Sequence, residues 1–141
     1  MLTRKQEIDY IVEGLIESIG SSDLKDIISS LNIKLITKNG ITTQYVKKNG
    51  KQIIYLDSTL NEEIKPFVLA HEIGHAILHD EEIIQYSPFD IVRTKTEREA
   101  DYFAFKLLGK SIDPIYDFTA EQYAMELGVN EDVIYYFVNK D

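Results

Sequence analysis

The stretch Ala70-His71-Glu72-Ile73-Gly74-His75-Ala76-Ile77-Leu78-His79 holds all three histidines of the chain. Positions 71–75 follow the pattern H-E-x-x-H. On a helix, residues four apart stand one above the other, so His71 and His75 can aim two imidazole nitrogens at one metal ion. Glu72, about 100° further round, lies beside that ion without being required as a donor. At this chain's own His and Glu frequencies, chance produces the pattern in about half a percent of such sequences.

Two protein donors leave a zinc ion incomplete, since catalytic sites use three and give the fourth position to water. The best further donor is Glu97, in Thr96-Glu97-Arg98-Glu99-Ala100-Asp101. On a helix, Glu97 borders the apolar stripe of Ala100, Phe103, Ala104, Leu107 and Leu108, whereas Glu99 is expected to point roughly opposite. Asp101, one turn beyond Glu97, is expected to accept from the outward ring nitrogen of a donor histidine and so orient it. His79 is read as a helix-end residue favoured by the macrodipole and by Asp80, not as a third imidazole donor.

Upstream, Thr43 to Lys47 and Gln52 to Leu56 flank Lys48-Asn49-Gly50-Lys51, a strong hairpin signal. Before them Ile33, Leu35 and Thr37 alternate with Lys34, Ile36 and Lys38, and Asn39-Gly40 ends the run. These segments predict a small antiparallel three-stranded sheet, closed by Asp57-Ser58-Thr59. A helix is expected from about Glu62 to His79, regular from near Lys65 with Pro66 in its first turn, where the missing N–H costs little. At the start, Ile8, Ile11, Val12, Leu15, Ile16 and Ile19 share helical spacing and Gly20 stops the run. A short helix over Asp23 to Leu31 is expected next, capped by Ser21 or Ser22.

Downstream, residues 80–95 read as irregular, a helix spans Thr96 to Leu108, and Gly109 ends it. A helix pair closes the chain: Thr119 to Leu127, opened by the capping box Thr119-x-x-Gln122, then Asn130 through Phe137. The expected architecture is one α+β domain over residues 1–141. Residues 1–60 form N-terminal helices and sheet, 61–110 the metal-site helices, and 111–141 the helix pair.

The composition agrees with one globular domain. The chain has 141 residues, 44% of them hydrophobic, with nine Tyr and six Phe to fill a core. It has no Cys, which excludes disulfide scaffolds, thiolate metal sites and cysteine nucleophiles and leaves nitrogen and oxygen as metal donors. Arg4, Lys5, Glu7, Asp9, Glu13 and Glu17 interrupt the first apolar run, so no signal peptide or membrane span is expected there, and the cytoplasm is the expected compartment. The formal charge is -9, and residues 61–141 hold seventeen Asp/Glu against seven Lys/Arg. That field repels nucleic acid and attracts a basic protein. Ala124-x-x-x-Gly128 with Ile134 has the spacing of a helix-turn-helix, but Glu121, Glu126, Glu131, Asp132 and Asp141 against Lys140 alone argue for packing or partner docking rather than DNA contact.

The chemistry these residues permit is metal-assisted amide hydrolysis. The ion acidifies its water and polarises the scissile carbonyl, while Glu72 takes the water proton and hands it to the leaving amine. Two imidazoles and a carboxylate suit zinc, one ion per chain, with manganese as the alternative. Tyr86, Tyr102 and Tyr116 are candidate donors to the developing oxyanion, or packing residues. A substrate peptide could lie along the exposed edge of the strand Gln52 to Leu56.

These residues resemble the ImmA/IrrE family of metallo-endopeptidases. The likeness rests on Ala70-His-Glu-Ile-Gly-His75 with Leu78-His79, and on Glu97-x-x-Ala100-Asp101-x-Phe103-Ala104 leading to Leu107-Leu108; it covers the chain from the hairpin to about Leu108. It implies a minimal zincin-like domain with His71, His75 and Glu97 as zinc ligands and Glu72 as the catalytic residue. It also implies a role in phages and mobile elements, proteolysis of a helix-turn-helix repressor. Asp101 stands where many members carry Asn, and Gly109-Lys110 replaces the usual Met-Pro ending. Two other readings compete. One is a metal-stabilised module that sequesters a regulatory partner without cutting it; the other is a metal-free helix with buried histidines.

Overall fold

Helix α1, Arg4–Ile19, starts at a capping box in which Thr3 Oγ1 accepts from the Gln6 amide and the Gln6 side chain accepts from the Thr3 amide. Two of the four otherwise orphaned amides at this end are thereby satisfied. Gly20 ends the helix in the left-handed conformation (φ 78°) that favours glycine. Helix α2, Leu24–Ser30, is capped by Asp23, whose carboxylate accepts from the Lys25 and Asp26 amides. The expected caps are corrected here: Ser21 instead bonds Asp26 and the Asp23 amide, because Asp23, directly before Leu24, occupies the cap position. The structure, a computed structural model, describes residues 1–79, 91–109, 119–127, 131 and 134.

Strands β1 (Lys34–Lys38), β2 (Gln44–Lys48) and β3 (Lys51–Asp57) form one sheet in the order β1-β3-β2. Strands β2 and β3 are the expected hairpin, with Asn49 and Gly50 both at positive φ as its tight turn requires. The expected antiparallel pairing of all three strands is corrected: β1 runs parallel to β3, with Lys34 opposite Ile53 and Lys38 opposite Asp57. Asp57 is the physical reason. Its carboxylate accepts from the amides of Gly40 (3.0 Å) and Thr59 (2.9 Å), and the Ser58 amide donates to the Lys38 carbonyl, so the ends of β1 and β3 are tied side by side. Asn39-Gly40 therefore leads to a crossover instead of a hairpin. Strand β3 is the central strand, paired on both sides, so Gln52–Leu56 offers no edge to a peptide, contrary to expectation.

Helix α3, Lys65–Leu78, begins with Pro66 in its first turn, and helix α4, Ile91–Leu107, starts before the expected Thr96. Helix α5, Ala120–Leu127, opens with the expected capping box of Thr119 and Gln122. The remaining expectations for residues 80–90, for Lys110 and for a helix from Asn130 to Phe137 fall largely or wholly outside the described residues. The core joins Ile8 and Val12 of α1, Ile27 and Ile28 of α2, Ile54 of β3, Phe67, Ala70 and Ile73 of α3, and Phe103, Ala104 and Phe105 of α4. Helix α4 packs against α3 and α1, and α3 also meets both hairpin strands. The α3–α4 seam is close: a Cβ built on Gly74 would stand 3.0 Å from Phe103 and 3.3 Å from the Ala100 backbone. That tightness brings the side chains of two helices within bonding distance of each other. Among the described residues no helix is long and apolar enough to cross a membrane.

Candidate metal centre

His71 and His75 lie one turn apart on α3, and Glu97 reaches them from α4. Glu97 Oε2 is 3.1 Å from His71 Nε2, Glu97 Oε1 is 3.0 Å from His75 Nε2, and the two Nε2 atoms are 3.1 Å apart. One donor atom from each side chain lies within 4.8 Å of the others. Tetrahedral zinc with bonds near 2.0–2.1 Å would separate its donors by about 3.3 Å, so the set fits such an ion after shifts of a few tenths of an ångström. Three electron pairs crowded onto one point need positive charge among them, and nitrogen and carboxylate donors match a borderline metal.

The electrostatics express the same need. Burial works against protonation of His71, but hydrogen bonds to Asp101 and Glu97 outweigh it and push the imidazole up to about 10. Burial would raise Glu97, yet its bonds to His71 and His75 hold it far below the usual carboxylate range. Glu72 is buried beside these residues, 7% exposed. Burial pushes its carboxyl up, against the pull of His71 and His75 and a hydrogen bond from the Tyr45 amide on β2. Asp101 lies 2.7 Å from His71 Nδ1, the arrangement the spacing predicts. Asp101 fixes one proton on Nδ1, so loss of the other would free the lone pair of Nε2, the nitrogen that faces Glu97.

One expectation is corrected here. Glu99 does not face solvent; it is 4% exposed, its carboxyl held down to about 2, with burial opposing bonds from His79 and Arg4 that outweigh it. His79 is the expected helix-end residue, the C-cap of α3, and it is buried, with Nδ1 3.0 Å from His75 Nδ1 and Nε2 2.9 Å from Glu99 Oε1. The spacing of His79 held a signal, since 71, 75 and 79 rise along one helical face. Nothing in the sequence pointed to Arg4, which joins Glu99 from 95 positions earlier in the chain. Tyr102 is buried, and its hydroxyl donates to Asp9 on α1 at 2.8 Å, so it joins helices α1 and α4. Tyr86 and Tyr116 lie outside the described residues.

An α+β scaffold whose paired helices bring two imidazoles and a carboxylate together is of the zincin-like class. The family model described as the IrrE N-terminal-like domain matches residues 23–136. The chain is 34% identical over 109 residues to "Uncharacterized immunity region protein 2" of Bacillus phage phi105, an alignment covering 72% of this chain and 67% of that one. It is 26% identical over 137 residues to "Metallopeptidase ImmA" of Bacillus subtilis, covering 86% and 78%. This chain belongs to the IrrE N-terminal-like domain family, a metallopeptidase-type family, which fits the ImmA/IrrE resemblance.

Proposed function

We propose that residues 1–141 act as one zinc-dependent endopeptidase domain, which hydrolyses a peptide bond in a helix-turn-helix repressor of a phage or mobile element. The observation that carries the enzymatic part is the convergence of His71, His75 and Glu97 beside a buried Glu72. In this reading the three would hold one zinc ion, with manganese as the alternative, and Asp101 would orient His71. When bound, the ion supplies Lewis acidity toward a water and the scissile carbonyl. Glu72 takes the water proton as the new C–O bond forms and delivers it to the amine nitrogen as the C–N bond breaks. Burial supports that role, because a carboxyl raised above its ordinary range holds a proton more readily. The acidic half from residue 61 onward supports a basic, DNA-binding partner and no direct nucleic-acid contact. The relatives' immunity-region and metallopeptidase names point the same way. A repressor partner places the work in the cytoplasm, away from membranes.

The test is Glu72→Gln, co-expressed with the helix-turn-helix repressor of the same element. The variant is expected to carry as much zinc as wild type by elemental mass spectrometry. It is expected to cleave the repressor at least about a hundredfold more slowly. Equal cleavage by the variant overturns the mechanism. Release of the repressor from its DNA by the uncut complex overturns proteolysis in favour of sequestration.

A further inference from the structure

His75 offers its Nε2 to the cluster of His71 and Glu97, so its behaviour depends on what its other nitrogen meets. That nitrogen, Nδ1, faces His79 Nδ1 at 3.0 Å. A neutral imidazole has one N–H and one lone pair, so a donating Nε2 lone pair requires the His75 proton on Nδ1. His79 Nδ1 must then accept, which puts the His79 proton on Nε2, 2.9 Å from Glu99 Oε1. Glu99 must remain an acceptor, and Arg4 keeps it so: Arg4 Nε is 3.0 Å from Oε2 and Nη2 is 3.1 Å from Oε1, a two-pronged ion pair. The His79 and Glu99 side chains are only 1% and 5% exposed, so water has little access to replace these partners.

Arg4 is itself held from outside the metal helices. It lies in the first turn of α1, fixed by the Thr3–Gln6 capping box. Ile8 and Val12 are buried in the core, and Asp9 accepts from Tyr102 of α4 at 2.8 Å. The segment matched by the family model begins at residue 23, after α1.

We propose that Arg4, Glu99 and His79 are positioning residues that fix the proton and ring orientation of His75, making the N-terminal helix a working part of the metal centre. This rests on the metal reading of His71, His75 and Glu97. Each link has one permitted sense: without an acceptor at Glu99, the His79 proton can move to Nδ1 and set two N–H groups against each other. His75 would then turn or present the wrong nitrogen. Asp101 holds His71 in the same manner but through one residue, whereas His75 is held through three.

The experiment measures zinc affinity by competition with a chromophoric chelator, and the visible absorption of the cobalt-substituted protein, on wild type, His79→Phe, Arg4→Gln and Arg4→Lys. Unfolding of the zinc-free proteins reports the fold separately. His79→Phe keeps an aromatic ring but removes the acceptor; it is expected to weaken zinc binding by about 10–100-fold and to shift the cobalt bands. Arg4→Gln is expected to weaken zinc binding severalfold, and Arg4→Lys to restore most of it. Wild-type affinity and spectrum in a folded His79→Phe overturn the relay, even where its zinc-free stability has dropped. Should His79→Phe fail to fold, Arg4→Gln decides alone, and unchanged affinity and spectrum there overturn the relay. Absence of zinc from wild type overturns the metal reading as well, whereas zinc-loaded wild type that cuts no repressor overturns only the proposed substrate.

Discussion

Asp57 shows how much one carboxylate can settle. It accepts from the Thr59 amide and hydroxyl and from the Gly40 amide, and these bonds, the Thr59 amide first, hold its carboxyl below the ordinary value. A lowered folded-state pKa stabilises the fold above the unfolded value, about 4 for Asp, and that contribution disappears as pH falls below it. Asp57→Asn keeps an acceptor but removes the charge. Its thermal midpoint, followed by circular dichroism, is expected to lie below that of wild type at pH 7 and to converge with it as the pH drops under about 4. A gap of constant size across pH would mean that geometry rather than charge matters at this position. Residue-scale legibility was uneven for a physical reason. His71, Glu72, His75, Glu97 and Asp101 could be placed because helical spacing relates neighbours on one helix and at its apolar border. Glu99 could not, because a wheel drawn for one buried face misses a helix covered on two sides, here by α3 and α1.

At the scale of elements, the α3–α4 spacing sets whether donors from two helices can share an ion. Gly74 allows the approach: an added Cβ would meet Phe103 Cδ1 at 3.0 Å and the Ala100 Cα and carbonyl at 3.3 Å. The aromatic edge can move, but the Ala100 backbone is part of a helix. Replacing Gly by Ala favours a helix interior by about 1 kcal/mol, whereas overpacking costs about 1–3 kcal/mol. The expected net effect of Gly74→Ala is a loss of about 1 kcal/mol in the zinc-free protein. Zinc affinity should fall as well, because α4 carries Glu97 away from the α3 histidines. Denaturant unfolding and chelator competition check the two parts, and a variant with undiminished affinity would show that the seam does not set the donor spacing. Element types were legible through hydrophobic period and caps, down to the Thr119–Gln122 box. Strand direction was not: alternation is the same in parallel and antiparallel strands, and the choice for β1 rests on Asp57 meeting Gly40 across 17 positions of chain.

For the whole molecule, the sequence showed the charge imbalance but not how the first turn of α1 meets α4. Helix α1 reads as a plain amphipathic helix, yet its first turn reaches the residues behind His75, a contact spanning 95 positions between Arg4 and Glu99 that no local pattern encodes. Charge, by contrast, sums over the chain whatever the contacts. Residues 1–60 are close to balanced, and residues 61–141 carry seventeen acidic against seven basic side chains. Under the proposed function, a basic repressor approaching that half would be drawn by a field that salt screens, whereas zinc at His71, His75 and Glu97 would be held by direct coordination, which salt screens little. Raising salt from about 50 mM to about 500 mM should therefore slow association with the repressor by about tenfold or more, leaving zinc occupancy unchanged. Stopped-flow binding with the Glu72→Gln variant isolates association from cleavage. A rate indifferent to salt would mean that the acidic half serves solubility and that the partner is recognised by shape or by apolar contact instead.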